Sequence, residues 1–216
     1  MTKTNLNLEY IKALSIITKE TDQNNYIVLG SMATLSFTSE IGYTRKMNDL
    51  DIIADRSLIE KIKIKLIEKG FTQTTFINKR MPFYKKLIEH SRSTYLRFSK
   101  DDINIEILVT KFIEDNLNQK FDLYPNFWVQ IPKSSFYETK IGAIKFTTLD
   151  VSLLWAIKYL LHNSLGKFMS YKEKQRTEDL LHLRKLVNLE KAKKLLSQCR
   201  FGLRSFSFTI PSFFLR

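Results

Sequence analysis

The chain has 216 residues, 35 of them Lys or Arg and 22 Asp or Glu, giving a net charge of +13 and a pI near 9.7. Its 44% apolar and 26% charged residues fit one large globular domain or a core with an appendage, and no apolar run approaches the roughly 20 residues of a membrane span. A single Cys199 excludes an internal disulfide, three scattered histidines lack zinc-ligand spacing, and the excess positive charge favours a polyanionic partner without bearing on the fold.

The first residues, Met1 to Leu6, have no apolar signal core, so the cytoplasm is the expected compartment. Leu8, Ile11, Leu14 and Ile17 recur at helical spacing and predict an amphipathic helix from about Leu6 to Glu20. Tyr26 to Leu29 reads as a short buried strand running into Gly30-Ser31, with a helix from Met32 to Phe37 starting at that dipeptide. A strand, a Gly-Ser turn and a helix N-terminus can receive an anion. Glycine allows close backbone approach, free N–H groups point outward, and the helix dipole favours phosphate. The same dipeptide also serves as a plain strand-to-helix turn.

Residues 41–48, with Gly42, Tyr43, Arg45 and Lys46, lead to the acidic stretch. A helix of about ten residues carries the chain roughly 15 Å from Gly30, and eight extended residues return more than about 20 Å. The loop can therefore bring Asp49 back beside Gly30, with Arg45 flanking the pocket and Lys46 reading as a solvated loop residue. From Asn48 to Ala54 two acids give way to a β-branched apolar run, the pattern of a strand that becomes buried. Asp49 and Asp51 share one face and Leu50 and Ile52 the other, with about 6.5–7 Å between the acidic Cα atoms. That gap suits two carboxylates reaching toward a pair of Mg²⁺ ions about 3.5–4 Å apart. Alone, the pair reads as an acidic turn leading into an ordinary core strand.

A second helix is expected from Ser57 to Lys69, with Ser57 as N-cap and Gly70 at its end, followed by a strand from Phe71 to Ile77. Lys79 to His90 is ambiguous between strand and helix. Tyr95–Ser99 and Ile103–Thr110 read as a hairpin around Lys100-Asp101-Asp102, with Ile103, Ile105, Ile107 and Val109 on one face and Asn104, Glu106 and Leu108 on the other. A carboxylate in such a strand needs a partner if buried. Glu106 is therefore the candidate third metal-site carboxylate, a solvated outer face being the alternative and Asp102 the reserve. Phe127–Ile131 and Lys140–Phe146 are expected to close the sheet. Thr147 to Asp150 has capping-box character and opens a helix from Leu149 to His162, followed by helices from Tyr171 to Leu186 and Leu189 to Gln198. The one boundary falls near residue 147, dividing a core (1–147) from a C-terminal helical region with an extended tail (148–216). In that tail Ser205 to Ile210 alternates as an edge strand does. From Val151 onward there are 13 Lys or Arg against 4 Asp or Glu, which carries +9 of the total charge.

Leu29-Gly30-Ser31, Asp49-Leu50-Asp51 and Ile105-Glu106-Ile107, in that order, resemble the signature of the DNA polymerase β-like nucleotidyltransferase superfamily. Arg45 to Asp51 resembles the Arg-x-Ser/Thr-x-Asp-Leu-Asp of minimal and AbiEii-toxin-like nucleotidyltransferases. Thr148 to Lys158 resembles their leu-leu-x-x-Lys helix, and Arg176 to Leu183 their Arg-x-x-Asp-Leu-x-Asp-Leu, with His182 in place of the second acid. The resemblance implies an α/β (α+β) fold, a mixed β-sheet core flanked by helices with a C-terminal helical part. It implies Asp49, Asp51 and Glu106 as catalytic metal ligands for two Mg²⁺ ions, and an NTP as substrate. Gly30, Ser31, Arg45, Lys158 and Asp179 would bind the nucleotide, although the residues around Lys158 equally suit a solvated helix face. The implied activity is transfer of an NMP to a hydroxyl of RNA such as tRNA, as a toxin or defence protein with a cognate antitoxin or an oligomeric partner. The alternatives are antibiotic (aminoglycoside- or lincosamide-like) nucleotidyl transfer and a catalytically silent nucleotide-binding or antitoxin-type protein.

Overall fold

The computed structural model describes residues 3–19, 25–74, 94–124, 127–165, 173–203 and 206–208. Helix α1 (Lys3–Lys19) precedes strand β1 (Tyr26–Val28), helix α2 (Gly30–Thr38), strand β2 (Leu50–Asp55) and helix α3 (Ile59–Glu68). Then come β3 (Thr72–Thr74), β4 (Thr94–Lys100) and β5 (Ile103–Thr110). These strands form one mixed sheet in the order β1-β2-β5-β4-β3, in which β2 and β5 run parallel and the other pairs antiparallel. The remainder of the expected Phe71–Ile77 strand, and Lys79 to His90, lie outside the described residues.

Strand alternation sorts the two faces of this sheet. Leu50, Ile52, Ile105 and Ile107 point to one side, where Tyr10, Leu14 and Ile17 of α1 and Ile62 and Leu66 of α3 bury them. Ile53 and Leu108 point to the other side, into a second core with residues from the C-terminal helices α4 (Val151–Leu165), α5 (Glu173–Arg184) and α6 (Leu189–Gln198). Among the described residues no helix is long and apolar enough to cross a membrane.

The expected closure of one sheet by Phe127–Ile131 and Lys140–Phe146 is corrected. Phe127 to Pro132 (β8) belongs to a second, antiparallel sheet, which also contains β6 (Ile113–Glu114), β7 (Asn118–Tyr124), β11 (Arg200–Leu203) and β12 (Phe206–Phe208) in the order β12-β11-β8-β7-β6. Phe121 and Leu123 of β7 and Val129 and Ile131 of β8 alternate inward from this sheet. Lys140 to Phe146 is not one strand. Gly142, at φ +58°, turns the chain between β9 (Phe136–Ile141) and β10 (Ile144–Leu149). The tail segment Phe206–Phe208 is an edge strand, paired with β11.

Two helix starts also differ from expectation. The N-cap before α3 is Asp55, not Ser57: its carboxylate accepts from the Ser57 N–H at 2.9 Å and opens a short 3₁₀ turn over Arg56–Leu58. Helix α4 is opened by Asp150, which accepts from the Ser152 N–H at 2.9 Å. Thr147 and Thr148 instead finish β10, because the Thr148 hydroxyl donates to the Val28 carbonyl at 2.7 Å and ties that strand to β1. Asp55 also accepts from the Phe112 N–H at 2.7 Å, joining the ends of the parallel strands. Burial raises its pKa, but the bonds from Ser57, Phe112 and Arg56 outweigh this and hold the carboxyl below its ordinary value. A depressed folded-state pKa adds stability that is present above the unfolded pKa of about 3.9 and lost as pH falls through the folded value. Asp55→Asn is therefore expected to lower the melting temperature at pH 7 and to flatten its fall on acidification below about pH 4. Parallel melting curves of both proteins across that range would contradict this.

Candidate active site

The parallel register of β2 and β5 sets Asp51 opposite Glu106, Ile53 opposite Leu108 and Asp55 opposite Thr110, all on one face. Along that face the apolar Ile53–Leu108 pair, buried against the C-terminal helices, gives way at its rim to the acidic Asp51–Glu106 pair. Asp49, one residue before β2, joins them. Ligand atoms of Asp49, Asp51 and Glu106 lie within 4.8 Å of one another, and all three side chains are half-buried. Three carboxylates at that separation repel unless a cation sits among them, and hard oxygen donors are what Mg²⁺ prefers. The donor set fits the metal. The reserve candidate, Asp102, is exposed in the β4–β5 turn and is not part of this group.

Each carboxylate is placed by identifiable contacts. The Leu29 N–H donates to the Asp51 carbonyl at 3.0 Å, which seats the start of α2 beside β2. Gly30 then adopts φ +63°, and a Cβ at that position would stand 1.8 Å from Asp51 Oδ2. Only glycine leaves room for this carboxylate. Helix α2 begins without a side-chain cap, which leaves its first backbone N–H groups for an anion. Ser31, its second residue, is buried. Gly30→Ala is expected to displace Asp51 and add about 1–2 kcal/mol of left-handed strain. The result should be a lower melting temperature together with loss of metal binding. Unchanged Mn²⁺ affinity in that variant would contradict the packing argument.

Asp49 is delivered by a braced loop. On α1, Asn7 Nδ2 donates to the Arg45 carbonyl at 2.8 Å, and its Oδ1 accepts from the Met47 N–H at 3.0 Å. One turn later the buried Tyr10 hydroxyl donates to the Asn48 carbonyl at 2.7 Å and accepts from the Asn104 N–H at 3.3 Å. Glu106 accepts a hydrogen bond from the Tyr95 hydroxyl on β4. Sequence reasoning missed Tyr95 and Tyr10. The hairpin register brings Tyr95 to the face of Glu106, but the contact of Tyr10 depends on where α1 docks.

Arg45, Lys158 and Asp179, implied by resemblance to bind nucleotide, meet one another. Asp179 is buried, accepting from Arg45 Nη1 at 2.7 Å, the Tyr43 hydroxyl at 3.0 Å and Lys158 Nζ at 3.4 Å. The Tyr43 phenol is pushed above its ordinary pKa by burial and by the Asp179 charge beside it. His182 stacks on the Tyr43 ring with centroids 4.0 Å apart, so the residue that replaces the second acid of the helical motif covers this cluster. The cluster fastens the loop that leads to Asp49 onto α4 and α5.

Of the basic residues that give the C-terminal part its charge, Lys167 and Lys172 lie outside the described residues, as do the side chains of Lys174 and Arg176. Of the other basic residues, Lys191 pairs with Asp150 at 2.6 Å and Lys193 with Glu190 at 3.1 Å. Lys46 is exposed, as its loop position suggested.

This architecture is the nucleotidyltransferase fold, a mixed sheet carrying a carboxylate cluster at one rim with helices on both faces. It is shared with ANT(2'')-Ia in complex with adenylyl-2''-tobramycin, at a TM-score of 0.56 and 12% identity over 89% of this chain and 94% of that one. The solution structure of the antibiotic-resistance factor ANT(2'')-Ia gives 0.57 and 10% over 87% and 89%. The lincomycin-bound lincosamide antibiotic adenylyltransferase LnuA gives 0.53 and 17% over 83% and 95%. No family model and no curated protein matches the sequence.

Proposed function

We propose that the protein is a Mg²⁺-dependent nucleotidyltransferase that moves an NMP from an NTP to a hydroxyl of a small-molecule acceptor. The observation that carries this reading is the meeting of Asp49, Asp51 and Glu106 within 4.8 Å, beside a glycine-started helix, on this fold. The structural neighbours include ANT(2'')-Ia in complex with adenylyl-2''-tobramycin and a lincosamide antibiotic adenylyltransferase, which favours a small acceptor over RNA. The resemblance to AbiEii-like toxins rests on the sequence motifs alone, and transfer to RNA rests on the +9 charge of the C-terminal third.

Asp49 and Asp51 would hold Mg²⁺, with Glu106 completing a second metal position; the bound metal supplies charge neutralisation for the triphosphate. The uncapped N–H groups at the start of α2 receive phosphate oxygens, and Gly30 lets them approach Asp51 closely. Glu106, oriented by Tyr95, takes the proton as the acceptor hydroxyl oxygen bonds to the α-phosphorus. The bond from that phosphorus to the α–β bridging oxygen breaks, and pyrophosphate leaves. Such chemistry is mainly positioning and charge stabilisation, so it needs few further groups.

Incubating the protein with each α-³²P-labelled NTP, Mg²⁺ and in turn tobramycin, lincomycin, a small-metabolite extract and total RNA tests the reading. Label transferred to a small molecule by the wild type, and not by Glu106→Gln, is expected. Label found only on RNA would overturn the small-acceptor assignment. Binding of Mg²⁺ and NTP with no transfer to any acceptor would favour a catalytically silent protein.

A further inference from the structure

We propose that Arg97 recognises the acceptor, and that this acceptor carries an oxyanion, a phosphate or a carboxylate, near the hydroxyl that is modified. The inference rests on the nucleotidyltransferase reading and assigns its substrate class. Within the first sheet, Asp51 faces Glu106 across the parallel β2–β5 pair, and Glu106 faces Arg97 across the antiparallel β5–β4 pair. Directly opposed residues share a face, so the three stand in a row across the sheet, with strands about 4.8 Å apart. Beyond Asp51, in the other direction, lie β1 and Gly30. The order across the face is thus phosphate-receiving helix start, Asp51, Glu106 and Arg97. A triphosphate held at the first end puts its α-phosphorus near the carboxylates. Arg97 then lies on the far side of Glu106, the side from which a hydroxyl giving its proton to Glu106 arrives.

The side chain is prepared for a ligand. Arg97 Nη2 donates to Asn104 Oδ1 at 2.8 Å, and that oxygen also accepts from the Ser99 hydroxyl at 3.0 Å, which fixes the plane of the guanidinium. Its Nε is buried with no hydrogen-bond partner among the described residues. An unmatched buried donor is unfavourable, and a guanidinium fork matches oxyanions in two-point fashion. A guanidinium here disfavours amine-rich acceptors such as tobramycin and favours acidic ones.

The test uses the full chain as wild type, Arg97→Met and Arg97→Lys. Calorimetry first measures Mg²⁺-dependent binding of α,β-methylene-ATP, and inorganic phosphate is then titrated into that complex. The analogue is expected to bind all three proteins within about twofold. Phosphate affinity should fall at least tenfold in Arg97→Met and less in Arg97→Lys. Equal phosphate affinity in wild type and Arg97→Met overturns the proposal. A tenfold loss of analogue binding in Arg97→Met also overturns it, because the arginine would then only offset the carboxylates. Failure of the wild type to bind the analogue at all sinks the nucleotidyltransferase reading itself. With labelled ATP, glycerol 3-phosphate and an RNA oligonucleotide ending in a 3′-hydroxyl separate a small phosphate ester from a phosphodiester as the source of the oxyanion, and label on either supports the assignment. Stronger labelling of tobramycin than of both overturns it.

Discussion

Asp51→Asn is expected to abolish nucleotidyl transfer while leaving the fold as stable as the wild type or more so in metal-free buffer. Asp49, Asp51 and Glu106 lie within 4.8 Å of one another, so removing one negative charge relieves repulsion when no cation is present. The amide has nearly the shape of the carboxylate and fits the space that Gly30 leaves. Charge stabilisation by a catalytic metal supplies several kcal/mol, and at about 1.4 kcal/mol per tenfold in rate its loss corresponds to about 10³-fold or more. Single-turnover transfer measured beside thermal melting separates the two effects. A melting temperature that falls sharply in metal-free buffer would instead assign Asp51 a structural role.

Asp179→Ala is expected to be the most destabilising of the substitutions considered. Asp179 is buried, and its removal leaves Arg45, largely buried with its side chain 12% exposed, without that carboxylate, while Lys158 and the Tyr43 hydroxyl lose an acceptor. Breaking such a cluster from one side costs about 3 kcal/mol, the lower end of the range for buried pairs because Lys158 retains some access to water. For a chain of this length that is a fall in melting temperature of roughly 6–12 °C. The loop from Tyr43 to Asp49 would lose its anchor on α5, so Mn²⁺ affinity should fall by about 10- to 100-fold as well. Asp179→Asn keeps the shape and should do less on both counts. An Asp179→Ala variant with normal stability and impaired nucleotide binding would instead favour the direct nucleotide-binding role implied by the motif.

The carboxylate cluster was legible in the sequence because its signal is local. Two-residue alternation placed Asp49 with Asp51 and placed Glu106 opposite the Ile103–Val109 row, and parallel pairing of the two strands then brings them together. The Arg45–Asp179 contact joins residues 134 apart in the chain, and no periodicity reports such a meeting. The motif resemblance implied nucleotide binding by Arg45, Lys158 and Asp179, and the geometry adds that Arg45 and Lys158 both bind Asp179. The second sheet was missed because β7 opens with Asn118-Gln119-Lys120, which reads as loop until its pairing with β8 is known. Helix starts were misplaced by a few residues where competing caps were present. Asp55 and Ser57 both have capping side chains, and Asp55 takes the role with additional support from the Phe112 N–H.

In the proposed reaction Asp49, Asp51 and Glu106 hold metal against a triphosphate received at the start of α2. A crystal structure of the full chain with Mn²⁺ and α,β-methylene-ATP, using anomalous scattering to locate the metal, tests it most directly. Mn²⁺ is expected on Asp49 and Asp51, with a second ion about 3.5–4 Å away that reaches Glu106, and phosphate oxygens on the backbone N–H groups following Gly30. Nucleotide seated elsewhere, or Mn²⁺ bound away from these three carboxylates, would contradict it.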